Sequence, residues 1–105
     1  MGWLNFEGKD NAQLQQHIRT KSINSANVII VTHASAQMKV RFVSRLEVLE
    51  CLRKGVIDRT PEPDLERGTL RCRMEHYIAG RNCMAIAALC DEAADLIVVT
   101  VMTAK

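Results

Sequence analysis

Thr69-Leu-Arg-Cys-Arg-Met-Glu-His-Tyr-Ile78 alternates from end to end: Leu70, Cys72, Met74, His76 and Ile78 point one way, Arg71, Arg73, Glu75 and Tyr77 the other. A period of two is the mark of a strand with one buried face. Gly80-Arg81 suits a two-residue turn of the Gly-X kind, and Asn82 to Cys90 is a second apolar run, so the two stretches predict a β-hairpin. After a connection at Asp91 to Asp95, Leu96-Ile-Val-Val-Thr-Val-Met102 extends the hairpin into an antiparallel meander. With the turn setting the register, Cys83, Ala85, Ala87 and Leu89 join the Leu70 face, along with Leu96, Val98, Thr100 and Met102, and this is the expected core. The opposite face carries the Arg71 to Tyr77 ladder beside Met84, Ile86 and Ala88, then Ile97, Val99 and Val101. A large apolar patch does not stay wet. The N-terminal arm, a second subunit or a partner is therefore expected to cover Met84, Ile86, Val99 and Val101.

Upstream, two prolines in Thr60-Pro-Glu-Pro-Asp64 remove donors and restrict their predecessors, which reads as a loop. Before it lies a strong helix signal: Ser44 at the cap, Glu47 three residues on, Leu46, Val48, Leu49 and Leu52 for the core, and Gly55 as terminator. His33 to Arg41 reads as a short helix, and Asn27-Val-Ile-Ile-Val-Thr32 as a strand. Asp10 or Asn11 caps a first helix running to about Lys21, with Leu14 and Ile18 one turn apart. Ahead of it, Trp3, Leu4 and Phe6 form an apolar cluster. The expected fold class is α+β, with N-terminal helices and a short strand followed by an antiparallel β-meander. Residues 1–26 form an arm and helix, and 27–105 a single domain.

With 105 residues, 48% of them hydrophobic, the chain holds one domain's worth of core. No run approaches the roughly 18 apolar residues of a membrane span, and the N-terminus has neither a basic leader nor an apolar signal core. Phe6 stands where a myristoylation motif wants Ser or Thr. A cytoplasmic protein with no membrane contact is expected. Cysteines at 51, 72, 83 and 90 contain no Cys-x-x-Cys pair and read as reduced, mostly buried thiols; no metal site and no cofactor is expected. The net charge of +2 hides a basic stretch, since residues 17–59 hold eight Lys/Arg against three acids. Such a stretch suits an anionic partner or a solvated helical face about equally.

Thr-His-Ala-Ser-Ala-Gln-Met-Lys-Val-Arg-Phe-Val-Ser, residues 32–44, resembles the opening of a bacterial family, domain of unknown function 4258. The resemblance continues through Glu47-Val48, Leu52-Arg-Lys-Gly-Val-Ile57, Pro61-Glu-Pro-Asp64 and the glycine hairpin to Ile97-Val-Val-Thr-Val101, covering roughly residues 27–103. It implies a fold similar to RelE-type ribonuclease toxins, also written RelE/barnase-like: strand, two helices, antiparallel sheet. Two positions depart from the pattern. Gln37 stands where the family usually has Arg, and Phe42 where a Gly commonly follows the second Arg, which is Arg41 here.

Metal-free RNA cleavage needs a base, an acid and cations around the phosphate. His33, where a strand enters a helix, is a candidate for proton transfer, since histidine ordinarily titrates near neutral pH; Arg41 follows two turns later, and Glu75 is a candidate base. Arg71 and Arg73, with Tyr77 for stacking, are candidate nucleic-acid contacts. Each also has a plainer role: His33 bonding backbone, Arg41 pairing with a carboxylate, Arg73 and Glu75 neutralising one another, and His76 buried in the core. Two functional classes follow. One is a toxin-like protein acting on RNA or the ribosome, as a metal-independent endoribonuclease or as a binder. The other is a non-catalytic interaction module or homo-oligomer that uses the half-apolar sheet face.

Overall fold

Ile78 pairs with Arg81 and Leu70 with Leu89, so the expected hairpin forms between β3 (Thr69–Ile78) and β4 (Arg81–Cys90). In this computed structural model the described residues are 6, 8–91 and 93–104, with only the backbone described at 93 and 94. The turn is Ala79-Gly80, not Gly80-Arg81. Both of its residues have positive φ, 54° and 80°, as a type I′ hairpin requires. Every partner consequently moves by two positions, an even step that leaves the faces as the alternation sets them.

β5 (Ala93–Ala104) continues the meander and departs from the expected register. Ile86 pairs with Thr100 and Ala87 with Val98, which leaves Val99 as an extra residue, a β-bulge. Beyond it the faces exchange. Val101, expected on the open face, lies opposite Ala85 in the core at 0% exposure, while Thr100 and Met102, expected in the core, lie opposite Ile86 and Met84 on the open face.

The proline stretch also differs from expectation. Glu62–Asp64 is a short edge strand, β2, antiparallel to β3, and the edge is where a strand tolerates a residue without an N–H. Val56 adds a bridge to Glu75 further along the same edge. On the far side β1 (Val28–Ile30) pairs in parallel with β5, which completes a five-stranded mixed sheet in the order β1-β5-β4-β3-β2.

Three helices, α1 (Asn11–Ser22), α2 (Thr32–Arg41) and α3 (Arg45–Lys54), supply the rest of the core. Leu14 and Ile18 of α1, Ala34 and Met38 of α2, and Val48, Leu49, Cys51 and Leu52 of α3 are buried with Leu70, Cys72, Met74, Cys83, Leu89, Leu96, Val98 and Val101. Leu46 does not join them; it is 72% exposed, because it sits on the first turn of α3 away from the sheet. The α3 capping box forms as expected, Glu47 N donating to Ser44 Oγ and Ser44 N to Glu47 Oε1, both at 3.1 Å. Asp10 and Gln13 make an equivalent box for α1.

The helix C-termini explain much of the basic surplus. Arg53 donates to the Ser22 and Ile23 carbonyls at the end of α1 (2.7 and 3.2 Å). Arg19 donates to those of Lys54 and Gly55 at the end of α3 (3.1 and 2.7 Å). Arg81 donates to those of Arg41 and Phe42 at the end of α2 (2.7 and 2.6 Å). Each guanidinium satisfies carbonyls that the helix cannot, at the negative end of its dipole. Gly55 is required by packing as well, since a Cβ there would collide with the carbonyls of Cys51 and Glu75.

All three helices lie on the core face, and the other face of the sheet is less bare than its sequence suggests. Met84 is only 7% exposed and Ala88 is buried; Ile86, Ile97, Val99 and Met102 are half-buried. Half-buried Arg71 and Arg73 stand across from Ala88 and Ile86, where their aliphatic stems can lie over apolar neighbours. Phe6 packs against the core, with its ring 5.0 Å from that of His17 on α1. Trp3 and Leu4, the rest of the expected arm, lie outside the described residues.

Candidate functional site

The sheet order sets His33 and Arg71 on opposite walls of one cavity, with β5 and β4 between the strands that carry them there. His33 is exposed on the first turn of α2, just after β1, and Arg71 stands on β3; a cavity of about 710 Å³ on the open face lies between them. Ala88, Ile97 and Val99 give it an apolar floor. Val31 and His33 line one side, Asp64, Arg67, Thr69 and Arg71 the other, and Thr100 contributes a hydroxyl. The bulge at Val99 puts Thr100 there: without it Thr100 would face the core.

Asp64 organises the wall opposite His33. Its Oδ1 accepts from the Arg67 N–H at 3.2 Å, its carbonyl from the Gly68 N–H at 2.9 Å, and its Oδ2 lies 3.9 Å from Arg67 Nε. This turn presents the Arg67 guanidinium at the cavity, exposed and loosely held. Arg71 donates to no carboxylate or carbonyl among the described residues, so its guanidinium is available to an anion. The site therefore offers two guanidinium groups, an imidazole and two hydroxyls over an aliphatic floor, with the Asp64 carboxylate behind Arg67 as its one acid. Donors outnumber acceptors on this rim, which suits a phosphate with an apolar group beneath.

The other candidate residues stand elsewhere. Arg41 is eight residues along α2 from His33, about 12 Å of helix rise, and does not line the cavity. Arg73 and Glu75 form a half-buried ion pair at 2.8 Å, the neutralised arrangement. Glu75 also shares a hydrogen bond with Asp58, whose carboxyl it holds below the ordinary range. Arg73 still reaches a smaller cavity of about 220 Å³, where Arg59, Thr60, Glu62 and Arg71 meet Ile86 and Met102. Tyr77 is 65% exposed and lines a third hollow with Glu75, half-buried His76, Asp58 and Asn82.

Sequence reasoning missed Arg67, Thr69 and Thr100. Arg67 belongs to a turn that reads as a solvated loop, Thr69 reads only as the first residue of a strand, and no pattern in Val-Val-Thr-Val announces the bulge. The thiols take no part. Cys51, Cys72 and Cys83 are buried, burial pushes Cys72 up to about 12, and Cys51 Sγ donates to the Met74 and Cys83 carbonyls at 3.3 Å.

Residues 30–103, about seven-tenths of the sequence, match the family described as Domain of unknown function (DUF4258). The chain belongs to this family. No curated protein and no solved structure matches it. The DUF4258 span holds every strand except the start of β1 and the last residue of β5, both α2 and α3, and all the cavity residues, whereas α1 precedes it. Among the described residues no helix is long and apolar enough to cross a membrane.

Proposed function

We propose that this DUF4258 protein binds single-stranded RNA, holding one phosphodiester in the large cavity between His33, Arg67 and Arg71. The observation that carries the reading is a cavity with His33 on one wall and Arg67 and Arg71 on the other, in which Arg71 has no carboxylate within ion-pair distance among the described residues and Asp64 holds an exposed Arg67 only at 3.9 Å. Arg71 and Arg67 donate to the phosphate oxygens, and the aliphatic floor of Ala88, Ile97 and Val99 takes the sugar or base. We place the arrangement with the RelE-type, barnase-like toxin folds, on the order of one strand, two helices and an antiparallel meander. The target is then cellular RNA, free or within the ribosome.

Binding comes before cleavage in this reading. A metal-free mechanism calls for two proton-transfer groups at the phosphate. His33 is one; Glu75 is bound to Arg73 and Arg41 lies at the far end of α2. The test is fluorescence anisotropy of a labelled unstructured RNA across a salt titration, without added metal. Binding should weaken steadily with salt, and Arg71→Ala should lower the slope of log affinity against log salt by about one. Salt-insensitive binding, or an affinity indifferent to Arg71, would overturn the proposal. Translation arrest on expression, relieved by Arg71→Ala, extends the test to RNA presented by the ribosome.

A further inference from the structure

Phe42 follows the last residue of α2 with φ 54°, the left-handed region that penalises any residue bearing a Cβ, and the residue is 86% exposed. Burial therefore does not hold it there. The corner is held from behind: Arg81 donates to the Arg41 and Phe42 carbonyls at 2.7 and 2.6 Å and to Glu47 Oε2 at 3.1 Å, and the Ser44 capping box begins α3 two residues later. The result is a stiff corner that presents an aromatic ring outward.

The chain leading to that ring is basic. Between Asp10 and Glu47 it contains no Asp or Glu, Lys39 and Arg41 precede Phe42, and Glu47 behind the corner is paired with Arg81. Along α2, exposed His33, Ala36 and Val40 follow one another at three- and four-residue spacing, with exposed Lys39 beside them. With Phe42 they mark a line about 13 Å long, on a helix free of acids, from the cavity at one end of α2 to Phe42 at the other.

We propose that Phe42 is a base-stacking platform: a single RNA strand whose phosphate sits in the cavity runs along α2 and lays a base on this ring. The inference rests on the RNA reading of the cavity. Cations tracking a backbone, with an exposed ring for a π-face, are the two parts by which single strands are held without base pairing. A protein partner would instead use Val40 and Leu46 together with Phe42, and the experiment separates the two.

The full chain is titrated with a uridine dinucleotide and a uridine octanucleotide, as wild type, Phe42→Gly, Phe42→Tyr and Arg71→Ala. Phe42→Gly suits the backbone at that position, so loss of fold does not confuse the result. It should leave the dinucleotide unaffected and weaken the octanucleotide about tenfold, the size of one base–aromatic stack, while Phe42→Tyr keeps the affinity. In Phe42→Trp the added indole emission should be quenched by the octanucleotide and not by the dinucleotide. If Phe42→Gly leaves the octanucleotide unchanged while Arg71→Ala weakens both ligands, the cavity reading stands, the stacking proposal falls, and Phe42 belongs to a protein contact. If neither oligonucleotide binds the wild type, both fall.

Discussion

Phe42 occupies a backbone position made for glycine, and its stability consequence is independent of any ligand. Left-handed φ costs a residue with a Cβ about 1 to 2 kcal/mol, and glycine loses part of that advantage to unfolded-chain entropy. Phe42→Gly should therefore raise the unfolding free energy by about 1 kcal/mol in a urea titration; a loss of stability would mean that the exposed ring packs on something. Glu47 gives a second residue-scale expectation. Its hydrogen bond from the Ser44 N–H and its contact with Arg81 hold its carboxyl below the ordinary 4.5. The unfolded chain thus binds the proton at higher pH than the folded one, so the stabilisation is complete above 4.5 and is lost as pH falls through the lower folded value. Glu47→Gln should flatten the acid limb of stability against pH below 4.5, and an unchanged limb would remove Glu47 from the account. The capping box behind this was plain in the sequence because its spacing is local. Arg81, forty residues from its carbonyl partners, could not be read that way.

At the scale of the element, β5 shows where alternation stops being informative. Leu96-Ile-Val-Val-Thr-Val-Met102 reads equally well in two registers, because a bulge changes which face each later residue takes without changing composition. The structure makes a sharp distinction between neighbours. Val101→Lys would bury an unpaired ammonium in the core and should cost several kcal/mol or prevent folding. Met102→Lys, on the half-open face, should cost about 1 kcal/mol or less. Melting temperatures of the two variants decide it, and the opposite ranking would return β5 to the unbulged register. β2 was misread for a related reason. Proline disfavours regular structure in general, yet at a sheet edge its missing donor faces no ladder, so Pro63 pairs beside Leu70 at little cost.

The whole molecule joins what the sequence shows only in pieces. Periodicity revealed three helices, the hairpin and the meander, but not that β1 inserts in parallel beside β5, and it is this pairing that sets His33 on the wall of the cavity opposite Arg71. The candidate site was accordingly half legible: His33 and Arg71 stood out by residue type, whereas Glu75 and Arg41 stood out equally and lie elsewhere. Part of the basic stretch likewise proved internal, with Arg19, Arg45 and Arg53 donating to backbone carbonyls, while Lys39 and Arg41 remain along α2 and Arg71 at the cavity. Although α1 precedes the DUF4258 span, Leu14 and Ile18 are fully buried in the common core. Leu14→Ala should cost about 2 to 5 kcal/mol by chemical denaturation, and a neutral result would mark α1 as an appendage.

The central claim is that the cavity between His33 and Arg71 receives a phosphodiester, and it is tested most directly by mapping backbone amide shifts while a short unstructured RNA is titrated into the labelled protein. The account predicts fast, salt-sensitive shifts concentrated at Val31 to Ala34, Arg67 to Arg71 and Val99 to Thr100, and their loss in Arg71→Ala. Shifts confined to Tyr77, Asn82 and the Val56 to Asp58 segment would place the ligand at the other end of the sheet and contradict it, as would a spectrum unchanged by RNA.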